Sequence, residues 1–185
     1  MNQPIATERL DLVPATPELL RAALGPRGRL ASALGARVPE SWPPQYLDDA
    51  AIEYTLARLA EGERHAGWWM YFILKREPDG GRTLVGSGGY AGPPAQDGSV
   101  EVGYGVVPDH QRRGYASEAV RGLVQRAFAR PDIQRITAQT LPELEPSIGV
   151  LLKCGFRHAG AGAEPGAIRF DLVRPGTAST GKEEA

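Results

Sequence analysis

The sequence predicts a single domain of the mixed α/β class, and three observations support this prediction. Residues 99–128 have the pattern of a strand, a short basic loop and a long amphipathic helix. Residues 68–74, WWMYFIL, form a continuous apolar run, which is typical of a strand covered on both faces of its sheet. The chain of 185 residues is long enough for one domain with a substantial core.

The first half of the chain divides into strand and helix patterns. The predicted elements are strands over 9–14, 68–74 and 83–90 and helices over 16–24 and 48–59. Thr16 followed by Pro17 is a helix-start signal, with Thr16 as the N-cap. Residues 25–46 are rich in Gly, Pro and Arg, so we expect a long irregular connection there. The glycines of the strand at 83–90 are interpreted as bulge or close-packing positions.

The second half contains the central strand and the remaining elements. They are strands over 100–107, 135–140, 156–159 and 167–173 and helices over 116–128 and 147–154. Gly103 and Gly105 weaken the ladder of the central strand and allow a bulge or the close approach of a ligand. Gly155 is expected to end the shorter helix. Residues 175–185 are small, polar and charged, which predicts a disordered tail after a domain over 1–174.

Charge and composition argue against several partners. The formal net charge is −1, so no overall electrostatic attraction favours nucleic acid or an anionic membrane. Cys154 is the single cysteine, which rules out an internal disulfide and fits a reducing compartment. The chain has no run of about 18 apolar residues, and its three histidines are too scattered to suggest a metal site. A cytoplasmic location is therefore the expectation.

The hexapeptide QRRGYA at residues 111–116 lies between the central strand and the long helix. The first amides of a helix have no internal partner, and the helix dipole places partial positive charge behind them. Gly114 and Ala116 leave room for a bulky anion to reach this backbone, and Arg112 and Arg113 add positive charge. The alternative is a solvated basic turn that only connects strand and helix. Neither a P-loop nor a dinucleotide fingerprint fits these residues, so the sequence predicts an anion site of another kind.

This hexapeptide matches the Q/R-x-x-G-x-G/A diphosphate loop of the Gcn5-related N-acetyltransferase (GNAT) superfamily. The surrounding VEVGYGVVPDHQRRGYASEAV resembles the branch that includes ribosomal-protein N-terminal acetyltransferases. Residues 147–156, SIGVLLKCGF, resemble the S-x-x-V-L-x-K-x-G-F ending of the same branch. Two ordered motifs make the resemblance specific, and it covers residues 7–174. It implies the GNAT fold: a central mixed, mostly antiparallel sheet of six to seven strands, flanked by about four helices.

The resemblance also implies transfer of an acetyl group from acetyl-CoA to a primary amine by direct attack within a ternary complex. The acceptor class is a peptide N-terminus or a small-molecule amine. Pantetheine is expected beside the central strand and the diphosphate on the loop amides, with no metal. The implied cofactor-binding residues are Tyr104, Val106, Val107, Gln111, Arg112, Arg113, Gly114, Tyr115, Ala116 and Ser117. A backbone N–H near Val106 is the candidate for stabilising the oxyanion.

Glu101 and Ser147 are the candidate catalytic residues that the resemblance suggests. Glu101 occupies the central-strand position where several family members have a catalytic glutamate, and the alternative is an ordinary strand glutamate paired with a cation. Ser147 matches a serine proposed as the acid that protonates the leaving thiolate, and a compatible alternative is that it caps its helix. Two residues depart from the pattern: Leu144 replaces the usual Asn, and Leu151 stands where other members have a tyrosine acid.

Trp42 and Tyr90 are the candidates for binding the acceptor. In the resembled family the connection at 25–46 forms part of the acceptor wall, and the alternative for Trp42 is a packing anchor in the loop's own core. The sequence leaves open whether the protein forms a homodimer. Two other functional classes also stay open: an acyl-CoA-binding regulatory module with little turnover, and an α/β protein that binds another phosphate ligand.

Overall fold

Eight strands and five α-helices are present in the computed structural model, which describes residues 3–176. The strands are β1 (Ile5–Ala6), β2 (Leu10–Pro14), β3 (Met70–Arg76), β4 (Arg82–Tyr90), β5 (Ser99–Val106), β6 (Arg135–Thr140), β7 (Arg157–Ala161) and β8 (Ile168–Val173). The helices are α1 (Pro17–Ala23), α2 (Arg27–Leu34), α3 (Asp49–Ala60), α4 (Tyr115–Phe128) and α5 (Glu145–Lys153). The strands form one sheet in the order β1-β2-β3-β4-β5-β6-β8-β7. Its β5–β6 pair is parallel and its other pairs are antiparallel, which confirms the predicted fold class.

The segment 25–46 contains a helix, so the expectation of an irregular connection is wrong for residues 27–34. Pro26 precedes α2, and Gly35 ends it in the left-handed region at φ 57°. Leu30 and Leu34 lie one turn apart and are buried in the core. Burial of this apolar pair stabilises the helix, which at eight residues is too short to be stable alone. The sheet exceeds the expected six to seven strands because the two-residue β1 adds to one edge.

Other elements begin or end within a few residues of their predicted boundaries. Trp68 and Trp69 precede β3 instead of starting it, and both are buried. The strand expected over 156–159 is β7, which starts one residue later and ends at Ala161. Of the expected tail, residues 177–185 lie outside the described part of the chain. No helix within residues 3–176 is long and apolar enough to cross a membrane.

The helices divide between the two faces of the sheet. The face covered by α1, α2 and α3, called the α3 face, has the core residues Leu20, Leu30, Leu34, Ile52, Phe72, Leu74 and Leu84. The face covered by α4 and α5, called the α4 face, has the core residues Tyr71, Ile73, Val100, Val102, Val106, Leu123 and Leu151. Successive residues of a strand point to opposite faces. Because the even-numbered valines of β5 lie on the α4 face, Glu101, Gly103 and Gly105 lie on the α3 face.

Glycines let the central strands approach each other closely. A Cβ at Gly86 in β4 would lie 2.2 Å from the carbonyl oxygen of Gly105 in β5. The register between β3 and β4 shifts between Ile73 and Leu74, which is a bulge. The predicted roles of the β4 glycines are thereby confirmed. The β4–β5 register is regular, so Gly103 does not mark a bulge.

The sheet opens between β5 and β6. The parallel pairs are Ser99–Arg135, Val100–Ile136 and Glu101–Thr137. Beyond Glu101 these strands do not pair within the described residues, although β5 continues to Val106 and β6 to Thr140. One edge of β5 is therefore unpaired from Val102 onward, and β5 leads directly into the loop before α4.

Candidate functional site

The start of α4 carries unpaired backbone amides. Gly114 is the N-cap at φ 83°, in the left-handed region that glycine adopts without a Cβ penalty, and no side chain caps this helix. Within residues 3–176 the amides of Gly114, Tyr115, Ala116 and Ser117 donate to no protein acceptor. These N–H groups and the positive end of the helix dipole together favour an anion.

Arg9, in the turn between β1 and β2, supports this loop from behind. Its Nη1 donates to the Arg113 carbonyl oxygen at 3.1 Å, and its guanidinium lies 4.8 Å from the centre of the Tyr115 ring. Its Nε pairs with Glu118 Oε2 at 2.7 Å, and the Thr7 hydroxyl donates to Glu118 at 2.6 Å. Burial raises the pKa of Glu118, but the hydrogen bonds from Thr7 and Arg9 outweigh burial and leave that pKa below its ordinary value. Glu118 therefore anchors the loop as a carboxylate.

The loop side chains differ in what they contact. Gln111 donates from Nε2 to the Val106 carbonyl oxygen at 2.9 Å, which ties the loop to the end of β5. Arg112 has φ 60°, in the left-handed region. Arg112 and Arg113 are exposed, so their positive charges stand in solvent beside the free amides.

His110 is buried at the base of the same loop. Its ring centroid lies 6.4 Å from that of Tyr115. Burial lowers the pKa of His110, and the positive charges of Arg113, Lys75 and Arg37 lower it further. The imidazole is therefore neutral at neutral pH.

The unpaired edge of β5 presents backbone groups to the opening. Val107 N donates to the Val85 carbonyl oxygen in β4 at 3.0 Å. Neighbouring residues of an extended strand direct their N–H groups to opposite edges. The N–H groups of Tyr104 and Val106 therefore face the opening between β5 and β6.

Tyr104 and Ser147 meet across this opening. The Tyr104 hydroxyl donates to the Ser147 carbonyl oxygen at 3.0 Å and lies 3.2 Å from Ser147 Oγ. Burial raises the pKa of Tyr104 to about 12, although its hydrogen bond to Ser147 acts in the opposite direction. The phenol is therefore protonated at neutral pH, and its oxygen can accept a hydrogen bond from Ser147 Oγ.

Ser147 lies in the first turn of α5 but does not cap it. The helix begins at Glu145, Leu144 is its N-cap residue, and no side chain caps it. The capping role considered from the sequence is therefore wrong. Pro146 accounts for the earlier start, because a missing N–H costs nothing in the first turn of a helix. Leu151, which replaces the family's tyrosine, is buried in the core.

A cleft of about 520 Å³ lies beside the opening, and we call it the glycine-floored cleft. Its lining includes the segment 45–47, the start of α3, and Gly88, Gly89, Gly103, Gly105, Gln139 and Ser147. A Cβ at Gly103 would meet no heavy atom within 4 Å, whereas one at Gly105 would lie 3.2 Å from Pro44 Cβ. The absence of a side chain at Gly103 therefore keeps part of this cleft open.

Glu101 precedes Gly103 on the same face of β5. Its Oε2 accepts a hydrogen bond from Gln139 Nε2 at 2.8 Å, and Glu101 is half-buried. The partner is a neutral amide and not the cation considered from the sequence. Gln139 lines the glycine-floored cleft and Glu101 does not, so Glu101 reaches this cleft through its contact with Gln139.

The two aromatic residues expected to bind the acceptor have other partners. Trp42 packs on Phe72 with ring centroids 6.0 Å apart, and it does not line the glycine-floored cleft. This placement fits the packing alternative. Tyr90 borders the cleft, but its ring packs on Trp68 and its hydroxyl donates to the Leu123 carbonyl oxygen at 2.7 Å. Burial holds the pKa of Tyr90 far above its ordinary value, so the phenol is a core group.

The structure thus brings Tyr104 and Ser147 together at the opening and places residues 111–117 at the end of the same strand, whereas Glu101 lies earlier on β5 and contacts Gln139. Two further side chains, Gln139 and Arg9, were not singled out from the sequence. Gln139 is 38 positions from Glu101, and Arg9 is 109 positions from Glu118. No local motif links such pairs: the β5–β6 pairing brings Gln139 to Glu101, and the packing of α4 against the β1–β2 turn brings Glu118 to Arg9.

Sequence comparison places these features in a family. Residues 9–157 match the model of the acetyltransferase (GNAT) domain. The uncharacterized N-acetyltransferase YjdG of Bacillus subtilis is 30% identical over 152 residues, which cover 82% of this chain and 88% of that protein. The uncharacterized N-acetyltransferase YoaA of the same organism is 31% identical over 106 residues, covering 57% of this chain and 56% of YoaA.

Solved structures share the fold at lower identity. RimL, a ribosomal L7/L12 alpha-N-protein acetyltransferase in complex with coenzyme A, has a TM-score of 0.65 and 17% identity, with 92% of this chain and 98% of RimL covered. The ribosomal-protein-S5-alanine acetyltransferase from Vibrio fischeri has a TM-score of 0.65 and 17% identity, with 94% and 98% covered. The microcin C7 self immunity acetyltransferase MccE, in complex with acetyl-CoA and AMP, has a TM-score of 0.61 and 16% identity, with 90% and 93% covered.

Proposed function

Because the chain belongs to the GNAT family of acetyl-CoA-dependent N-acetyltransferases, we propose that it acetylates a primary amine bound in the glycine-floored cleft. A peptide N-terminus or a small-molecule amine supplies the nucleophile. The observation that carries this proposal is the unpaired edge of β5, which has free amides at its end and the cleft beside it. Donor and acceptor would meet along this edge, and holding them together supplies much of the acceleration.

The donor half of the proposal uses backbone groups. The amides of Gly114, Tyr115 and Ala116 would bind the diphosphate of acetyl-CoA, with Arg112 and Arg113 adding positive charge. The N–H groups of Tyr104 and Val106 face the opening, so pantetheine would pair with β5 there as an added strand does. The Val106 N–H is the candidate donor to the oxyanion that develops on the thioester oxygen.

The acceptor half uses the α3 face. Gly103 leaves space above the strand, and the segment 45–47 with the start of α3 forms the opposite wall. Glu101, which contacts the cleft residue Gln139, would take the proton that the attacking nitrogen loses. The new C–N bond forms as the thioester C–S bond breaks.

Ser147 would return a proton to the leaving thiolate. Its Oγ lies 3.2 Å from the hydroxyl of Tyr104, which is neutral at neutral pH because burial raises its pKa to about 12. A phenol that donates to the Ser147 carbonyl oxygen keeps this serine in place at the opening. Tyr104 therefore supports Ser147, the proposed acid, and Leu151 stands where other family members have a tyrosine acid.

Free thiol release tests this function. The purified chain is incubated with acetyl-CoA and a panel of amines and peptides, and the wild type is compared with Glu101→Gln. We expect thiol release with at least one acceptor and a loss of kcat on the order of 100-fold in the variant, the range for a general base. Calorimetric CoA affinity should stay unchanged, because Glu101 does not contact the loop at 111–116.

A matched control is Glu53→Gln, an exposed carboxylate on α3. It should retain full activity. CoA binding without thiol release across the whole panel would instead support the acyl-CoA-binding module, and thermal melts that CoA leaves unchanged would support another phosphate ligand.

A further inference from the structure

Gln139 joins Glu101 to the turn between β7 and β8. Its Nε2 donates to Glu101 Oε2 at 2.8 Å, and its Oε1 accepts from Ala163 N at 2.5 Å. The side-chain amide of Gln139 therefore makes two hydrogen bonds, donating to a residue of β5 and accepting from a residue of the turn. Gln139 lies in β6, beyond the last residue that pairs with β5.

The backbone of the turn fixes which way this amide points. A backbone N–H can only donate, so the atom of Gln139 that faces Ala163 must be the carbonyl oxygen. The opposite atom, facing Glu101, must then be the NH₂ group. Gln139 therefore donates to Glu101, and Glu101 Oε2 accepts.

Gly162 lets the turn pass directly over the amide. A Cβ at this position would lie 2.6 Å from Gln139 Oε1 and 2.7 Å from Ala167 Cβ. The Gly162 backbone also donates to the Ala167 carbonyl oxygen at 2.7 Å, which closes the turn. A side chain at 162 would therefore displace either the turn or Gln139.

We propose that Gln139 is a positioning residue that holds the Glu101 carboxylate in place beside the glycine-floored cleft, with the turn at 162–167 fixing the orientation of the Gln139 amide. This inference rests on the proposed function, because it assigns Glu101 as the base. The Gln139 contact is made at Oε2 of Glu101, which leaves Oε1 as the oxygen that Gln139 does not contact.

Two substitutions separate the donor role from the anchoring role. Gln139→Ala removes both contacts of the amide. Gln139→Glu keeps an oxygen that accepts from Ala163 N but places a carboxylate against Glu101 in place of the NH₂ group. Gln134→Ala is the control, because Gln134 precedes the same strand and donates only to the Pro131 carbonyl oxygen at 2.7 Å through its side chain.

We expect both Gln139 variants to lower kcat by about tenfold or more, with unchanged KM for acetyl-CoA and an unchanged melting temperature. In a Glu101→Gln background the Gln139→Ala change should have no further effect, because the two residues act as one unit. If Gln139 were purely structural, the effects of Gln139→Ala and Glu101→Gln on kcat would be independent of each other. The kcat of Gln139→Glu would then match that of the wild type. Gly162→Ala should reproduce part of the loss of kcat.

The outcomes distinguish this inference from the proposed function. If Glu101→Gln lowers kcat while both Gln139 variants match the wild type, the positioning role is overturned and the function stands. If Glu101→Gln leaves thiol release unchanged, the base assignment and the positioning role fail together. Without any acceptor, the Gln139 side-chain NH₂ resonance in an NMR spectrum should shift in Glu101→Gln and stay in place in Glu53→Gln, and an unchanged resonance in Glu101→Gln contradicts the contact.

Discussion

The proposed donor end and the proposed acceptor end of this site are built in different ways. The proposed donor end is a contiguous stretch, residues 111–117, whose free backbone amides would bind the diphosphate, and Arg9 contacts this stretch. The acceptor end collects groups from the segment 45–47, α3, β4, β5 and β6. A contiguous backbone site leaves a motif in the sequence, because glycine and small residues must stand at fixed spacing. An acceptor cleft whose residues come together only through strand pairing leaves no such motif in the sequence.

The largest expected effect is that of a substitution at Gly114, in the proposed donor end. Replacement by Glu places a carboxylate beside the diphosphate and should abolish measurable CoA binding, a loss of at least about 100-fold in affinity. Calorimetric titration with CoA measures this loss.

Gly80→Glu is the matched control for that change. Gly80 lies in the turn between β3 and β4 at φ 84°, close to the φ 83° of Gly114, and a Cβ there meets no heavy atom within 4 Å. Both replacements therefore carry a similar backbone penalty of about 1–2 kcal/mol. If Gly114→Glu binds CoA as Gly80→Glu does, the loop is not the donor site.

A change at Gly103 tests the acceptor end separately. Gly103→Leu fills the glycine-floored cleft without a clash, because its Cβ points into open space. We expect kcat/KM for the acceptor to fall by about 100-fold, since small misplacements near reacting atoms have effects of this size. CoA affinity and melting temperature should be preserved, and steady-state kinetics with both substrates varied measures the split.

Gly28→Leu serves as the control on α2, where a Cβ also meets nothing within 4 Å. Full acceptor turnover in Gly103→Leu would show that the acceptor does not bind in this cleft. A joint loss of donor and acceptor binding would show that the two ends are not separable.

The smallest expected effect concerns His110 at the donor end. Burial first, and then Arg113, Lys75 and Arg37, hold the pKa of His110 below its ordinary value. The unfolded chain takes up a proton near pH 6.5 while the folded chain does not, so stability should fall as the pH is lowered through this value. Thermal melts between pH 7.5 and 5.5 should show a drop on the order of a few degrees that His110→Gln reduces. The exposed His158→Gln should keep the wild-type slope, and equal slopes for both variants would contradict the assignment.

Much of the fold could be predicted from sequence because local chemistry determines it. Thr16 accepts from Leu19 N at 3.3 Å, so the first helix start followed its capping signal, and Asp48, where the second helix was expected to begin, accepts from Ala51 N at 2.8 Å. α2 was missed because Pro26, Gly28 and Gly35 suggest a loop, while the stabilising burial is tertiary. Pro146 was the available signal that α5 starts before Ser147.

The site could be predicted only in part, because the sequence shows local features but not the contacts between residues that are distant along the chain. Positions 111–117 could be proposed from the sequence because unpaired amides at a helix start follow from local structure. The contact between Glu101 and Gln139 depends on the register of a parallel pair whose strands are separated by α4, and no residue pattern encodes that register. The Tyr104 phenol was likewise expected only as backbone, since its partner Ser147 comes from a later helix.

The most direct measurement is a crystal structure of the full chain with acetyl-CoA and without an acceptor. We predict diphosphate oxygens within hydrogen-bond distance of the amides of Gly114, Tyr115 and Ala116, and pantetheine paired with β5 at Tyr104 and Val106. A diphosphate bound away from residues 111–117, with β5 and β6 closed on each other, would contradict this account.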